Sequence, residues 1–245
     1  QILEHRVNRI VAPPAVCAQI AAGAAPMDQL EAVFTGGGPV FPNLLHVIAR
    51  AAPEAAVHAV YGSTEAEPIA HLELKGIGPA DWEAMASGAG LLAGQPIPEI
   101  DVDIRDHEVF VAGEHVNRGY LDPGDDKSTK SFNGGKLWHR TGDAARLDEH
   151  GRLWLLGRRE AASGGLFPFA VETAALSWPG VRQAALLAGD ARAKLALAGD
   201  GLDQSALQRR AAQLGPIDVV LLAEVPMDKR HNSKADYARL KKMLA

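Results

Sequence analysis

The chain has 245 residues, 47% of them hydrophobic and 22% charged, enough for one large domain or two smaller ones around a sizeable core. A net charge of −5 and an aromatic content of 5% leave neither a basic footprint nor a base-stacking surface, which excludes nucleic acid as a partner class. The lone cysteine, Cys17, has no internal disulfide partner, so a reducing, cytoplasmic setting is expected, and no apolar run reaches the roughly 18 residues of a membrane span.

From the start, Gln1-Ile2-Leu3-Glu4-His5-Arg6 carries neither an initiator methionine nor a signal peptide, and it reads as a cut within a longer protein. Residues 14–22 read as a helix with proline in its first turn and Gly23 behind it, and Val16-Cys17-Ala18 places Cys17 as a small core residue. Ala32-Val33-Phe34 is a short apolar strand that runs into Gly36-Gly37-Gly38-Pro39. Residues 41–52 have the 3.6-residue period of an amphipathic helix through Leu44, Leu45, Val47 and Ile48. Residues 55–60 form the next strand, which delivers Tyr61 to a strand end. Strand, loop and helix in this order predict an α/β sheet with ligands at the carboxyl ends of its strands. Trp82 to Met85 is apolar and reads as core.

Beyond residue 96 the pattern changes to short alternating strands over 100–104, 108–111, 138–140 and 152–155, which predicts a small β-barrel or sheet. Asp101 and Asp103 share one strand face there and read as a solvated edge rather than a metal site. After Gly157 the chain reads as helix 167–178, strands 181–187 and 194–197, helix 203–214 with Asp203 as N-cap, strand 219–222 and a final helix 234–244. The predicted organisation is a large unit over 1–158, α/β to residue 95 and β-rich over 96–158, followed by a small α+β unit over 159–245.

Four strings carry chemistry. Gly36-Gly37-Gly38 follows a strand, and three residues without Cβ let the backbone approach a flat ligand and adopt positive φ. Tyr61-Gly62-Ser63-Thr64-Glu65 offers an aromatic face for adenine, a tight turn, two hydroxyls for phosphate oxygens and a carboxylate able to hold Mg²⁺. Thr141-Gly142-Asp143 presents a carboxylate suited to two vicinal ribose hydroxyls, and Arg158 a planar fork for a ribose or phosphate oxygen. Arg230-His231-Asn232-Ser233-Lys234 places a mobile ammonium on a loop, where it can neutralise a carboxylate and stabilise a pentavalent phosphorus. Each string alone also fits an ordinary turn, cap or surface charge. The nine histidines lack metal-site spacing, and no Gly-x-Ser-x-Gly elbow is present.

Taken together, the strings resemble the acyl- and aryl-adenylating superfamily of acyl-CoA synthetases, peptide-synthetase adenylation domains and firefly luciferase. Gly36-Gly37-Gly38-Pro39 is similar to its Gly-Gly-Ala-Pro element, Tyr61 to Glu65 to its Tyr-Gly-x-Thr-Glu, and Val116 to Tyr120 to its structural Val-x-x-Gly-Tyr stretch. Arg140-Thr141-Gly142-Asp143, Asp148-Glu149-His150-Gly151 and Gly157-Arg158 look like its ribose-binding region leading into the hinge.

The resemblance implies a large domain followed by a small mobile one. It further implies ATP-dependent conversion of a small carboxylic acid to an acyl-adenylate with release of pyrophosphate, then transfer to a thiol. CoA is left open as that thiol, and a homodimer as the assembly. Lys234, Glu65 and Thr64 become the catalytic candidates, with Glu65 holding Mg²⁺. Gly36, Gly37, Gly38, Tyr61, Gly62, Ser63, Asp143 and Arg158 become the ATP/AMP-binding set, and Glu160 the hinge.

Three departures shape the expectation. No phosphate loop precedes Tyr61, so the isolated chain is expected to lack full activity. Residues 160–165 are a few positions shorter than the family's thioester-forming loop. The terminal string reads Arg-His-Asn-Ser-Lys where the family has Arg-Thr-x-Ser-Gly-Lys, a variant similar to that of β-lactone synthetases, which adenylate without CoA. Such an enzyme and a non-catalytic nucleotide-binding module stand as the alternatives.

Overall fold

A computed structural model describes residues 2–23, 26–189, 191–228 and 233–244. The first elements are β1 (Arg9–Ala12), α1 (Pro14–Ala21), β2 (Ala32–Thr35), α2 (Pro42–Ala51), β3 (Ala56–Ser63) and β4 (Ala66–Glu73). They are followed by α3 (Pro79–Ala86), β5 (Leu91–Pro96), β6 (Ile100–Arg105), β7 (Glu108–Gly113), α4 (Pro123–Thr129), β8 (Lys130–Asn133), β9 (Lys136–Leu147) and β10 (Leu153–Arg158). The last part holds α5 (Pro168–Ala175), β11 (Val181–Leu187), β12 (Ala193–Gly199), α6 (Gln204–Leu214), β13 (Ile217–Leu221) and α7 (Tyr237–Met243).

Helix starts follow two local rules. Proline opens α1, α2, α3, α4 and α5, where its fixed φ suits the first turn and its missing N–H costs nothing. α6 and α7 start instead on aspartate caps: Asp203 accepts from the Ser205 and Ala206 amides, and Asp236 from the Arg239 amide. The cap at Asp236 moves the last helix to Tyr237, so Lys234, expected at its first turn, lies in the preceding loop. α5 likewise ends at Ala175, earlier than the sequence pattern suggests, because residues 176–178 turn back toward Gly180 with φ +78.

Ten strands form one hydrogen-bonded sheet in the order β1-β2-β3-β4-β5-β10-β9-β7-β6, with β8 paired to β9. β1, β2 and β3 are parallel and their crossovers are α1 and α2, whereas the remaining pairs are antiparallel. Strand β5 joins the α/β part to the β-rich part, pairing with β4 only through Ala70 and His71 and with β10 through Leu153 to Leu155. Cys17, Ile20, Leu30, Val33 and Ile48 meet between the crossovers and the sheet, so Cys17 is core as expected. A separate sheet of β11, β12 and β13 closes around Leu195, Leu197 and Ile217. Phe169 of α5 packs edge-on against Phe41 at the start of α2, tying the last third of the chain to the first sheet.

Asp101 pairs with Lys136 (2.6 Å) and Asp103 with Arg105 (2.8 Å), the solvated edge that the sequence pattern predicts. Among the described residues no cluster of three or more His, Cys, Asp or Glu could hold a metal ion. Nor is any helix among them long and apolar enough to cross a membrane.

One carboxyl is enclosed completely. Glu172 of α5 is 2% exposed, and burial pushes its pKa from 4.5 up to about 7, against the hydrogen bonds from the Leu186 amide and the Tyr237 hydroxyl. Below pH 4.5 the group is protonated in both states and exacts no penalty. Between 4.5 and 7 only the native state holds the proton, so stability falls as pH rises; above 7 the loss is complete at about 3 kcal/mol. Glu172→Gln is expected to remove that slope, its stability advantage over wild type widening by about 2 kcal/mol between roughly pH 5 and pH 8. Urea midpoints measured across that range check it, and a constant difference would mean that Glu172 titrates as it does in the unfolded chain.

Candidate active site

The carboxyl ends of β2 and β3 lie side by side, and the glycines after β2 make that closeness feasible. A Cβ on Gly36 would sit 2.7 Å from the Val60 carbonyl oxygen, inside any allowed contact. Gly37 alone of the three has positive φ, at +74. Gly38 is needed for a different reason: its missing side chain leaves room for Ser233, whose Cβ would be 3.1 Å away. The three glycines therefore serve two close approaches and one left-handed turn, rather than three turns.

β3 continues to Ser63, so Tyr61 lies within the strand and not at its end. Gly62 is not a turn residue either. The β3–β4 register shifts between Tyr61 and Ser63, and a Cβ at Gly62 would press on the Ala66 carbonyl oxygen at 3.0 Å. The actual turn falls on Thr64 and Glu65.

Tyr61 meets Asp143 here. Its hydroxyl donates to Asp143 Oδ2 at 2.9 Å, across 82 residues of sequence. Asp143 and Arg158 are directly paired on β9 and β10. Arg158 Nη1 donates to the Thr141 carbonyl (3.0 Å) and stands 3.3 Å from Asp143 Oδ1. Gly142 between them has φ +74, and Thr141 Oγ1 accepts from the Asp143 amide while donating to the Val109 carbonyl. The carboxylate is thus fixed at both oxygens, each keeping a further lone pair for another donor.

Burial raises the Asp143 carboxyl above its ordinary pKa; Arg158, the Tyr61 hydroxyl and the ammonium of Lys234 oppose the rise, and Glu108 adds to it. Burial and the Asp143 charge hold the Tyr61 phenol well above its usual value, so it remains a donor. Lys234 is exposed on its loop, with its charge reaching Asp143. Ser233 anchors that loop by accepting from the Ala15 amide at 3.3 Å. Arg230, His231 and Asn232 of the same string lie outside the described residues.

Glu65 belongs to a second cluster at the β3–β4 turn. Its carbonyl accepts from the Asn117 amide (2.7 Å) and its Oε1 from the Tyr120 hydroxyl (2.8 Å). Burial works against ionisation of Glu65, but Tyr120, its own amide, Ser63 and the nearby His139 outweigh it and lower the pKa. Burial and the Glu65 charge push the Tyr120 phenol up to about 12. Lys130 completes the group, donating to the Asn117 carbonyl with its ammonium 5.6 Å from the Tyr120 ring centroid. Glu65 is therefore an ionised single carboxylate, and Mg²⁺ is commonly held by one or two carboxylates with phosphates and water filling its octahedron. The residue type fits that ion. Thr64 is exposed beside it.

Glu160 is exposed in the single turn Arg159–Ala161. Its neighbour Arg159 pairs with Asp106 and lies 3.6 Å from Glu108, which also accepts from Arg140 Nε at 2.6 Å. Sequence reasoning took Tyr120 only as part of a structural stretch, without its bond to Glu65, and passed over Lys130 and Glu108 as site residues. Lys130 sits in a stretch that carries only turn residues as a signal, and Glu108 looks like any strand-edge acid until β9 covers it.

Comparison with known proteins bears on the family and the fold. The AMP-binding enzyme family matches residues 1–121. An olefin beta-lactone synthetase from Stenotrophomonas maltophilia is 26% identical over 96% of this chain and 50% of its own length. A 2-succinylbenzoate–CoA ligase from Bacillus cereus is 31% identical over 64% of this chain and 33% of its own. The solved o-succinylbenzoate CoA synthetase of Bacillus subtilis, in complex with its acyl-adenylate intermediate, superimposes with a TM-score of 0.72 at 25% identity. That match covers 98% of this chain and 52% of that one. This chain belongs to the adenylate-forming, AMP-binding superfamily. It spans about half the length, or less, of the relatives described. Its α/β sheet with a smaller three-stranded sheet is the superfamily's fold.

Tyr120→Phe removes the donor at Glu65 Oε1 and leaves burial less opposed. The Glu65 carboxyl is expected to titrate at higher pH than in wild type, with stability lower by about 1–2 kcal/mol. Carboxyl-carbon NMR titration reads the first effect, and an unmoved Glu65 would mean that the bond does not form in solution.

Proposed function

We propose that this chain supplies the nucleotide grip and the adenylation lysine of an enzyme that activates a small carboxylic acid with ATP. One observation carries the reading: Tyr61, Asp143 and Arg158 converge within hydrogen-bonding range while the charge of Lys234 reaches the same carboxylate.

In this reading the ring of Tyr61 and the glycine turn at Gly37 flank adenine. The free lone pairs of Asp143 accept the vicinal ribose hydroxyls, and Arg158 steadies the same sugar. Ser63 and Thr64 donate to phosphate oxygens. Glu65 would hold Mg²⁺, which when bound offsets phosphate charge. The substrate carboxylate oxygen bonds to the α-phosphorus as the bond to pyrophosphate breaks, and pyrophosphate leaves with the electron pair. Lys234 stabilises the negative charge that builds on the pentavalent centre, a type of contribution typically worth about 2.7–4 kcal/mol. With the adenylate formed, residues from 159 onward would pivot about Glu160 and withdraw Lys234.

For the acceptor, an internal hydroxyl in place of CoA is the reading we favour second to a thiol. Its support is the brevity of the connection after Glu160. Ser163 and Leu166 close a two-residue glycine turn through reciprocal bonds of 3.0 and 2.9 Å, leaving little loop for a thioester-forming surface. The match to a beta-lactone synthetase over 96% of the chain points the same way.

Calorimetric titration of the 245-residue chain with AMP tests the grip. Asp143→Ala is expected to weaken AMP binding by about 10- to 100-fold, as for the loss of hydrogen bonds to a charged group. Lys234→Ala should stay within about threefold, its role lying in the transition state. AMP binding that is absent, or indifferent to Asp143, would overturn the reading.

A further inference from the structure

Carboxylates are seldom buried without a geometric reason, because desolvation costs several kcal/mol before any bond is made. Glu172 is enclosed on α5, outside the group of nucleotide residues, and its Oε1 accepts two hydrogen bonds. One comes from the Leu186 amide on β11 at 2.8 Å, the other from the hydroxyl of Tyr237 at 2.8 Å. Leu186 belongs to the small sheet. Tyr237 is the first residue of α7, and Lys234 lies just three positions before it.

Those three positions have no slack. Met227 and Ala235 form an antiparallel bridge, the Asp228 amide donates to the Lys234 carbonyl at 2.8 Å, and the Asp236 amide donates to the Pro226 carbonyl at 2.7 Å. On its other side the loop rests on the first sheet, where Ser233 accepts from the Ala15 amide and occupies the space that Gly38 leaves open. Lys234 is therefore strung between two anchors, Ser233 at one end and Tyr237 at the other. The second anchor ends on a buried carboxyl that also grips the small sheet.

We propose that Glu172 is a positioning residue: acting through Tyr237, it fixes where α7 begins and so holds the Lys234 loop over the Asp143 carboxylate. The catalytic consequence rests on the reading of Lys234 as the adenylation cation, but the placement of the loop does not. Tyr237 transmits the constraint because its ring spans from the helix start to the core, whereas the Leu186 bond secures Glu172 itself to the sheet.

Two measurements on the 245-residue chain separate these claims. The first is amide hydrogen exchange at Asp228 and Asp236. Tyr237→Phe should speed it by about five- to tenfold, the scale of one buried hydrogen bond, while Leu195 and Leu197 in β12 keep their protection. Glu172→Gln retains a carbonyl for Tyr237 and should remain within about threefold of wild type. Unchanged exchange in Tyr237→Phe would overturn the proposal. So would a loss of protection spread evenly through β11 and β12, which would make Glu172 a support of the sheet alone. The second is trace acetylation of Lys234 by acetic anhydride, with and without AMP. AMP should protect Lys234 in wild type and protect it less in Tyr237→Phe. If AMP gives no protection in wild type while exchange responds as described, the nucleotide reading fails and the positioning role stands.

Discussion

The carboxylate of Asp143 is the point through which this structure is organised. Partial burial disfavours the charged form of an acid, and at one-fifth exposure it raises the Asp143 pKa. Three donors or cations from separate parts of the chain act against that: Tyr61 from β3, Arg158 from β10 and Lys234 from the loop before α7. The Tyr61 contribution requires the sheet to bring β3 within reach of β9, even though β4, β5 and β10 lie between them in strand order. That proximity requires the sheet to curve, and the glycines at 62 and 94 and the register shifts beside them lie on that path.

The same economy recurs away from the site. Arg152 is shared between Asp81 of α3 and Asp148 of the β9–β10 turn, and Asp148 also accepts from the Trp154 indole. Arg146 lies over the other part of that indole at 4.7 Å from the ring centroid. These groups are largely enclosed, so the network is less screened than a surface ion pair and fixes the β9–β10 hairpin on which Asp143 and Arg158 ride. Glu108, Arg140 and Arg159 do the corresponding work beside the middle of β9, where the chain leaves β10.

Most of the strands and helices were legible because their signals are local. A proline at a first turn, an aspartate cap and an alternating run each state their element without reference to neighbours. The strand at 66–73 was not, since Pro68 and the acids at 65 and 67 mask its alternation, and its partners are set by the sheet. The start of α7 was misplaced for a comparable reason: Lys234 and Ala235 are helix formers, and only the cap at Asp236 decides the boundary. Of the site, Tyr61, Asp143, Arg158 and Lys234 could be picked out as chemically suitable, but nothing in their spacing says that they meet. The bonds that Tyr120 and Glu172 make were invisible in sequence, because a phenol and a carboxyl acquire a partner only when the fold brings two distant segments together.

The hydrogen bond between Ala15 and Ser233 joins residues 218 positions apart. A contact of that range carries a large loop-closure cost unless intervening contacts have already shortened the loop. On a ribosome the first crossover would leave the exit tunnel long before the lysine-bearing loop is synthesised. On the proposed reading of the site, a nucleotide would have no finished cradle to template the early stages, and stabilisation by bound AMP would accrue only to the completed molecule.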